Sequence, residues 1–192
     1  MANTSEKIIA ITKDIIANFG LKAASAGFIA KNGGFSKASI FYHYDNVDEL
    51  LECVLKDCIV CLDNILDKNW CDYENFSDYL YLSLQNLITN EKKALNLKVL
   101  FSFAHDRYYF DDEKNSVRNM LVENVRLDLM SALEFFYPDS NIENSEYLIS
   151  LLMTSFYGVG IFLSLDKRSD MLLHDWKMQC DLVDNYLKNV NL

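Results

Sequence analysis

Polar side chains that can contact nucleic acid are concentrated in one short stretch, residues 36–43, which reads SKASIFYH. Lys37 carries a positive charge that can pair with a phosphate, and Ser39 is small enough to approach a base edge closely. Tyr42 can offer its hydroxyl to a phosphate, and His43 can donate to a phosphate or to a guanine acceptor. These residue types at this spacing indicate contacts with a DNA duplex.

The elements predicted around this stretch form a helix-turn-helix. Ser25 can cap a short helix that runs to about Asn32, and Ser36 can cap a second helix from Lys37 to His43. Gly33 and Gly34 supply a tight turn between them, and in such a motif the second helix enters the major groove. The predicted DNA contacts are Ser25, Ser36, Lys37, Ser39, Tyr42 and His43. The side chains predicted to point inward and lock the motif are Phe35, Ile40, Phe41 and Tyr44.

The rest of the chain also reads as helices. Among 192 residues there are one proline and six glycines, and no stretch alternates apolar with polar residues between turn pairs. We therefore predict an all-α fold of about nine helices. A first helix spans about residues 5–19, and a fourth begins at an Asn46–Glu49 capping box and continues through Leu66. Later helices are predicted at about residues 75–89, 91–105, 114–136, 142–165 and 170–190.

Charge divides the chain into two parts. The net charge is −10, yet residues 1–44 hold five lysines against two acidic residues and so carry +3. A mildly basic head thus precedes an acidic body. We predict a helix-turn-helix DNA-binding domain at residues 1–46 and a ligand-binding and dimerisation domain at residues 47–192.

The run from Phe19 to Leu51, FGLKAASAGFIAKNGGFSKASIFYHYDNVDELL, resembles the N-terminal signature of the TetR family of bacterial transcriptional repressors. The matching features, in register and without gaps, are Phe19-Gly20, Ile29-Ala30, Gly34-Phe35-Ser36-Lys37, Phe41-Tyr42-His43-Tyr44 and Glu49-Leu50-Leu51. The sequence departs from the family pattern at Ala24, Gly27, Ala38, Asp45 and Val47. The family usually has threonine, a basic residue, glycine and lysines at these places, so the departures predict fewer phosphate contacts.

The resemblance implies a cytoplasmic, ligand-responsive repressor. It would bind a palindromic double-stranded DNA operator as a homodimer and be released when a small molecule, apolar or aromatic, tilts the fourth helix. Dimerisation is expected through residues of about 142–190, with small residues Ser150, Thr154 and Gly158 on one helical stripe. The apolar stripe expected in the last helix comprises Leu172, Trp176, Val183, Tyr186, Leu187 and Val190. The candidate effector contacts are Leu62, Phe101, His105, Tyr108, Met120, Met153 and Tyr157.

Three alternatives stay open at this point. The chain could keep this fold and act through a protein partner with weak or no DNA binding, as the missing basic residues suggest. Cys58 and Cys61 form a CxxC that could sense redox state or metal, although two mid-helix cysteines at i, i+3 are badly placed for a disulfide. Residues 147–165 form an uncharged segment as long as a membrane-spanning helix. Their hydroxyl groups and glycines nevertheless favour a buried helix of a globular protein.

Enzymatic activity is not expected. The three histidines are scattered, and the sequence shows no Ser/His/Asp set, no metal-ligand spacing and no phosphate-binding loop. No cofactor is indicated. The N-terminus lacks a basic lead followed by an apolar core, which favours a cytosolic setting.

Overall fold

The computed structural model describes residues 3–61, 66–104, 115–139, 142–165 and 169–190. Within these ranges the chain is helical, apart from short connections, and contains no strand. The α-helices are α1 (Thr4–Phe19), α2 (Ala26–Gly33), α3 (Lys37–His43), α4 (Val47–Cys61), α5 (Phe76–Thr89), α6 (Glu91–Ala104), α7 (Asn115–Phe136), α8 (Ile142–Leu165) and α9 (Ser169–Val190). The predicted all-α class and the helix order are confirmed.

Side-chain hydrogen bonds cap several helices at their N-terminal ends. The Asn46 side chain accepts a hydrogen bond from the Glu49 amide at 2.8 Å, at the start of α4. The Glu49 carboxylate accepts from the amide of Asp45 rather than from that of Asn46, so the predicted capping box is only half formed. Asn75 caps α5 by accepting from the amide of Asp78 at 2.9 Å. Such caps satisfy amides that the first helical turn leaves without partners.

The fourth helix does not include Leu66, through which we expected it to continue. It spans Val47–Cys61 in the described part of the chain, and Leu66 lies in a bend. Residues 62–65 lie outside the described part of the chain. The apolar repeat that suggested a longer helix includes Leu66 because that side chain is buried as well. The pattern of buried apolar residues therefore continues beyond the described end of α4, which is why it implied a longer helix.

The chain forms two compact units. The first comprises residues 1–63 and 92–114, and the second comprises residues 64–91 and 115–192. In the first unit, α1 to α4 and α6 share one apolar core. Its fully buried members include Ile8, Ile29, Ile40, Val54 and Val99, one from each of these five helices. The helix-turn-helix therefore shares its core with α4 and α6. The predicted domain boundary at residue 46 stays a prediction.

The second unit contains α5, α7, α8 and α9, and polar contacts join α9 to its neighbours. The indole N–H of Trp176 donates to the Leu80 carbonyl at 3.0 Å, which ties α9 to α5. Tyr137 donates to Asp184 at 2.6 Å. Because Trp176 and Asp184 are buried, these bonds satisfy groups that would otherwise lose water without replacement.

The prediction that an apolar stripe of α9 is available for dimerisation is wrong for most members of that stripe. Trp176, Val183 and Leu187 are buried inside their own unit, and Leu172 is half-buried. Only Tyr186 is exposed, while the side chain of Val190 is not described. The opposite side of α9 carries a second apolar set that is exposed: Met171, Met178, Leu182 and Tyr186. On α8, which we expected to be buried on all sides, the small residues Ser150 and Thr154 are exposed, Gly158 is half-buried, and Tyr147, Leu151 and Phe162 are exposed. We call these two sets the exposed stripes of α8 and α9.

The uncharged segment at residues 147–165 belongs to α8. In the part of the chain that the structure describes, no helix combines the length and the apolar character needed to cross a membrane.

Candidate nucleic-acid interface

The turn between α2 and α3 depends on two glycines with different tasks. Gly34 ends α2 in the left-handed region, at φ 67°, where a residue with a Cβ is disfavoured. Gly33 has an ordinary backbone, but an added Cβ would lie 2.9 Å from Ile11 Cδ1 and would overlap the ring of Phe35. The turn thus brings α3 close to α1 and sets the angle at which α3 leaves α2.

Serine hydroxyls form the starts of both helices, as predicted. The Ser25 side chain accepts from the amide of Phe28 at 3.4 Å. Ser36 accepts from the amide of Ser39 at 3.0 Å, and the two serine hydroxyls lie 2.8 Å apart. Ser36 therefore acts first as a cap, and it orients the Ser39 hydroxyl near the N-terminal end of α3.

Four of the predicted contact residues, Lys37, Ser39, Tyr42 and His43, lie on α3, whereas Ser25 lies at the start of α2. Lys37 is exposed, and its side chain passes over α2, where Cε would come within 3.2 Å of a Cβ added at Gly27. Tyr42 is 85% exposed. His43 is half-buried, and its ring stands edge-on to that of Tyr42 at 5.2 Å. This edge-on contact with His43 orients the phenol of Tyr42.

Of the side chains predicted to point inward and lock the motif, two are buried as predicted and one is exposed. Ile40 is fully buried and Tyr44 is 5% exposed, whereas Phe35 is half-buried. Phe41 was predicted to point inward, but it is 46% exposed. A seven-residue helix has room for only one buried stripe, and Ile40 with Tyr44 occupies it. Phe41 therefore adds an apolar side chain to the exposed side of α3.

Tyr44 joins the end of α3 to the start of α1. Its hydroxyl lies 2.7 Å from the Ser5 hydroxyl. Burial raises the pKa of Tyr44, and the hydrogen bond with Ser5 partly offsets this effect. The phenol consequently stays neutral over the physiological range and acts as a fixed hydrogen-bonding group.

Lys13 has a structural role that could not be predicted from its charge alone. It was counted with the basic head, yet it is only 5% exposed. Its ammonium donates to the Asp57 carboxylate on α4 and to Asn96 Oδ1 on α6, the latter at 2.6 Å. The lysines of residues 1–44 that are exposed, and so accessible to phosphate, are Lys7, Lys22, Lys31 and Lys37.

Comparisons with known proteins bear on this arrangement of helices. No protein-family model matches the chain. Over 158 residues it is 26% identical to the biofilm operon icaADBC HTH-type negative transcriptional regulator IcaR of Staphylococcus aureus, covering 79% of this chain and 81% of that protein. A TetR transcriptional regulator from Legionella pneumophila superposes with a TM-score of 0.73 at 18% identity, covering 96% of this chain and 98% of that one. The chain has the TetR fold.

A second solved structure with this fold contains a ligand. The transcriptional regulator FadR from Bacillus subtilis, in complex with stearoyl-CoA, superposes with a TM-score of 0.69 at 14% identity, covering 93% of this chain and 97% of that one. The resemblance that residues 19–51 suggested is thus confirmed for the fold, and IcaR is a distant relative in sequence. In this fold, α2 and α3 of the chain form the helix-turn-helix.

The second unit of the TetR fold here contains a small apolar cavity. Its walls are Leu66, Leu80, Leu84, Val125, Leu129, Leu152, Phe156 and Trp176. None of the predicted effector contacts is among these residues. Phe101 is buried in the first unit, Met153 is buried, and Tyr157 is half-buried. Leu62, His105, Tyr108 and the side chain of Met120 lie outside the described part, so this set stays a prediction.

Within the CxxC pair, Cys58 does not have the properties of a sensing thiol, whereas Cys61 is half-buried and its role stays a prediction. Cys58 is fully buried in the core of the first unit. Burial raises the pKa of its thiol to about 12, although nearby Lys13 lowers it somewhat. The reactive species in thiol chemistry is the thiolate, which is nearly absent at such a pKa. Among the described side chains, no group of three or more His, Cys, Asp or Glu residues could hold a metal ion.

Proposed function

We propose that the chain is a transcriptional repressor that binds a palindromic DNA operator as a homodimer and is released by a small molecule. The observation that carries this proposal is the surface of α3. Lys37 and Tyr42 are exposed, Ser39 is oriented by Ser36, and the helix beneath them is held by Ile40 and Tyr44. A recognition helix must present polar side chains while its own position stays fixed.

The exposed stripes of α8 and α9 support a homodimer. Leu151 is 58% exposed and Leu182 is 67% exposed, and each lies on the side of its helix opposite the buried residues. Two long helices with apolar outer stripes can pair with their twins about a two-fold axis, and a two-fold dimer presents two copies of α3 to two half-sites. The small residues Ser150 and Thr154 on the α8 stripe would let the twin helix approach closely.

The order of the helices supports release by a ligand. Leu80 and Leu84 of α5 line the cavity of the second unit, and α6 follows α5 after Asn90 alone. On α6, Asn96 contacts Lys13 of α1. A ligand that moves α5 would pull on α6 and, through this contact, on the helix-turn-helix. Such a ligand can shift the equilibrium between the DNA-binding and the released arrangement only if it binds these two arrangements with different affinity.

Fluorescence anisotropy on a duplex that carries the DNA upstream of the chain's own coding sequence tests the proposal. We expect saturable binding at low salt and at least a tenfold loss of affinity in the double variant Lys37→Ala/Tyr42→Ala. Removal of Lys37 alone eliminates one phosphate pairing per protomer. It should therefore flatten the slope of log affinity against log salt by about two in a dimer.

The matched control is Lys92→Ala, which removes an exposed lysine at the start of α6. It should leave both the affinity and the salt slope close to those of the unmodified chain. Absence of binding at low salt would refute the proposal and favour a TetR-fold protein that acts through a protein partner. An upstream reporter whose expression falls when the gene is deleted would refute repression in particular.

A further inference from the structure

The outer face of α3 is formed by Ala38, Phe41 and Tyr42, which follow one another at i, i+3 and i+4 and so lie together on one side of the helix. All three are exposed, Phe41 at 46% and Tyr42 at 85%. The opposite side of α3 is held in the core by Ile40 and Tyr44. The Ala38 methyl and the Phe41 ring are therefore hydrocarbon groups on the side of α3 that the proposed function directs towards a major groove.

Two polar side chains near the start of α3 lie beside this outer face rather than on it. Lys37 extends over α2, where its ammonium nitrogen would lie 3.6 Å from a Cβ added at Gly27. The hydroxyl of the half-buried Ser39 lies 2.8 Å from that of Ser36. Lys37 and Ser39 can therefore fix the helix on phosphates while the middle of the outer face presents carbon atoms.

The sequence of α3, KASIFYH, contains few of the side chains that read bases by paired hydrogen bonds. Such bonds are made to guanine by arginine or lysine, to adenine by asparagine or glutamine, and to cytosine by aspartate or glutamate. Lys37 is the one residue of these types in α3, and its amine lies beside α2. His43 is half-buried between the rings of Tyr42 and Tyr44. Recognition by α3 therefore has to rely largely on apolar contact.

Thymine is the base that offers an apolar group in the major groove. Its C5-methyl projects there, and the side chains of alanine and phenylalanine are suited to contact it. Burial of one methyl group against a hydrocarbon surface changes affinity by roughly fourfold. The exposed carbon atoms of Ala38 and Phe41 thus fit a T·A pair better than a G·C pair.

We propose that Phe41, assisted by Ala38, determines operator specificity by contacting the C5-methyl group of a thymine in each half-site. This inference rests on the proposed function and specifies the base that α3 recognises. Lys37 and Tyr42 would contact phosphates, and the Phe41 ring would pack against the methyl group without a hydrogen bond. Each half-site should accordingly contain a thymine whose methyl group is needed for full affinity.

Replacement of thymine by uracil tests this contact, because it removes the C5-methyl and keeps the base pair. The duplex upstream of the chain's own coding sequence can be amplified with either base, and fluorescence anisotropy compares the two affinities. With one methyl group contacted in each of two half-sites, we expect the uracil duplex to bind about tenfold more weakly or worse. Equal affinity for the two duplexes would overturn the inference, and this comparison requires no variant protein.

Substitution of Phe41 tests whether this residue makes the contact. Phe41→Ala should weaken binding of the thymine duplex and bring the two affinities within about threefold of each other, since the methyl loses its apolar partner. Phe41→Leu keeps an apolar side chain and should retain most of the preference for thymine. The matched control is Lys37→Ala, which should weaken binding of both duplexes alike and leave their ratio unchanged. A preference for thymine that persists in full in a folded Phe41→Ala variant, as judged by circular dichroism, would overturn the role of Phe41.

The same measurements separate this inference from the proposed function. A chain that binds the thymine and uracil duplexes equally well contradicts only the base preference. A chain that binds neither duplex at low salt contradicts the proposed function and the inference together. Uracil placed at single positions should then show its effect at symmetry-related thymines of the two half-sites, and small effects spread over all thymines would overturn the contact.

Discussion

At the scale of single residues, Gly33 and Gly34 are adjacent but are required for different physical reasons. Gly34 needs a positive φ, whereas Gly33 needs the absence of a Cβ beside Ile11 and Phe35. Asparagine distinguishes the two requirements, because it tolerates the left-handed region better than other residues with a side chain but still carries a Cβ.

We expect Gly34→Asn to lower the free energy of unfolding by less than about 1 kcal/mol. Gly33→Asn should lower it by about 2 kcal/mol or more, since the new atoms must displace Phe35 or Ile11. Urea denaturation followed by circular dichroism measures both. Equal losses at the two positions would contradict the distinction, and a stabilising Gly33→Asn would show that the ring of Phe35 moves away at no cost.

The cysteines should differ in reactivity according to their burial. Cys58 and Cys180 are fully buried, and burial raises the pKa of each thiol to about 12. Cys71 is exposed. At pH 8 we expect iodoacetamide to modify Cys71 and to leave Cys58 and Cys180 unmodified until the chain unfolds, as mass spectrometry of the digested protein would show. Rapid labelling of Cys58 in the folded protein, or a change of operator affinity on mild oxidation, would revive the sensing hypothesis.

The same raised pKa values predict how stability depends on pH. An unfolded thiol loses its proton near pH 9, whereas the buried thiols keep theirs until about pH 12. The unfolded state therefore binds fewer protons between these values, and stability is fully present below pH 9 and falls as the pH rises towards 12. Cys180→Ala should make this alkaline loss shallower in urea titrations at pH 8 and pH 10.5.

At the scale of helices, Lys13 joins three elements of the first unit. It lies on α1 and contacts Asp57 on α4 and Asn96 on α6. The side chain of Lys13 is buried, whereas that of Asp57 is 47% exposed. Removing Asp57 and removing Lys13 should therefore destabilise the chain to different extents. Only the removal of Asp57 leaves a buried charge, that of Lys13, without its partner.

We expect Asp57→Ala to destabilise the chain by about 2 kcal/mol, somewhat less than for a fully buried pair because water reaches this site. Lys13→Met should cost less, because methionine fills the same apolar space and Asp57 can be hydrated. Lys68→Met serves as the control, since the pair of Lys68 with Asp128 is exposed on the lysine side and should be worth less than about 1 kcal/mol. A larger loss for Lys13→Met than for Asp57→Ala would contradict this account.

Helix positions could be predicted from the residues because their signals are local. Ser25, Ser36 and Asn46 are caps within a few residues of the helices they begin, and Gly20 and Gly34 end helices at positive φ. The environment of Lys13 could not be predicted in this way. Its partners are 44 and 83 residues away along the chain, and a lone lysine on a helix is normally exposed.

Helix α9 shows a second limit of the sequence pattern. It carries two apolar stripes on opposite sides, and periodicity alone cannot say which one packs inside its own unit. Trp176 and Val183 lie on the inner stripe because α5 offers Leu80 as a partner to the Trp176 indole.

At the scale of the whole molecule, DNA recognition by two α3 helices requires a dimer. The exposed stripes of α8 and α9 should form its interface, and Leu151 and Leu182 are the exposed leucines on them. Burial of a leucine side chain is worth about 1.5–3 kcal/mol, and a two-fold interface would bury each of these twice. Placing a carboxylate there should cost more than the loss of this contribution, since the charge would be buried without a partner.

We therefore expect the unmodified chain to sediment as a dimer in analytical ultracentrifugation and the variant Leu151→Glu/Leu182→Glu to sediment as a folded monomer. The control is Leu127→Glu, which introduces the same charge at a leucine of α7 that is 48% exposed and should leave the dimer intact. The monomer keeps one α3 and half of the phosphate contacts, so its salt slope on operator DNA should fall to about half, and its affinity at least a hundredfold. If the double variant stays dimeric, the interface lies elsewhere. If it is monomeric yet binds DNA with the original slope, a single α3 accounts for all the contacts and the two-fold operator is excluded.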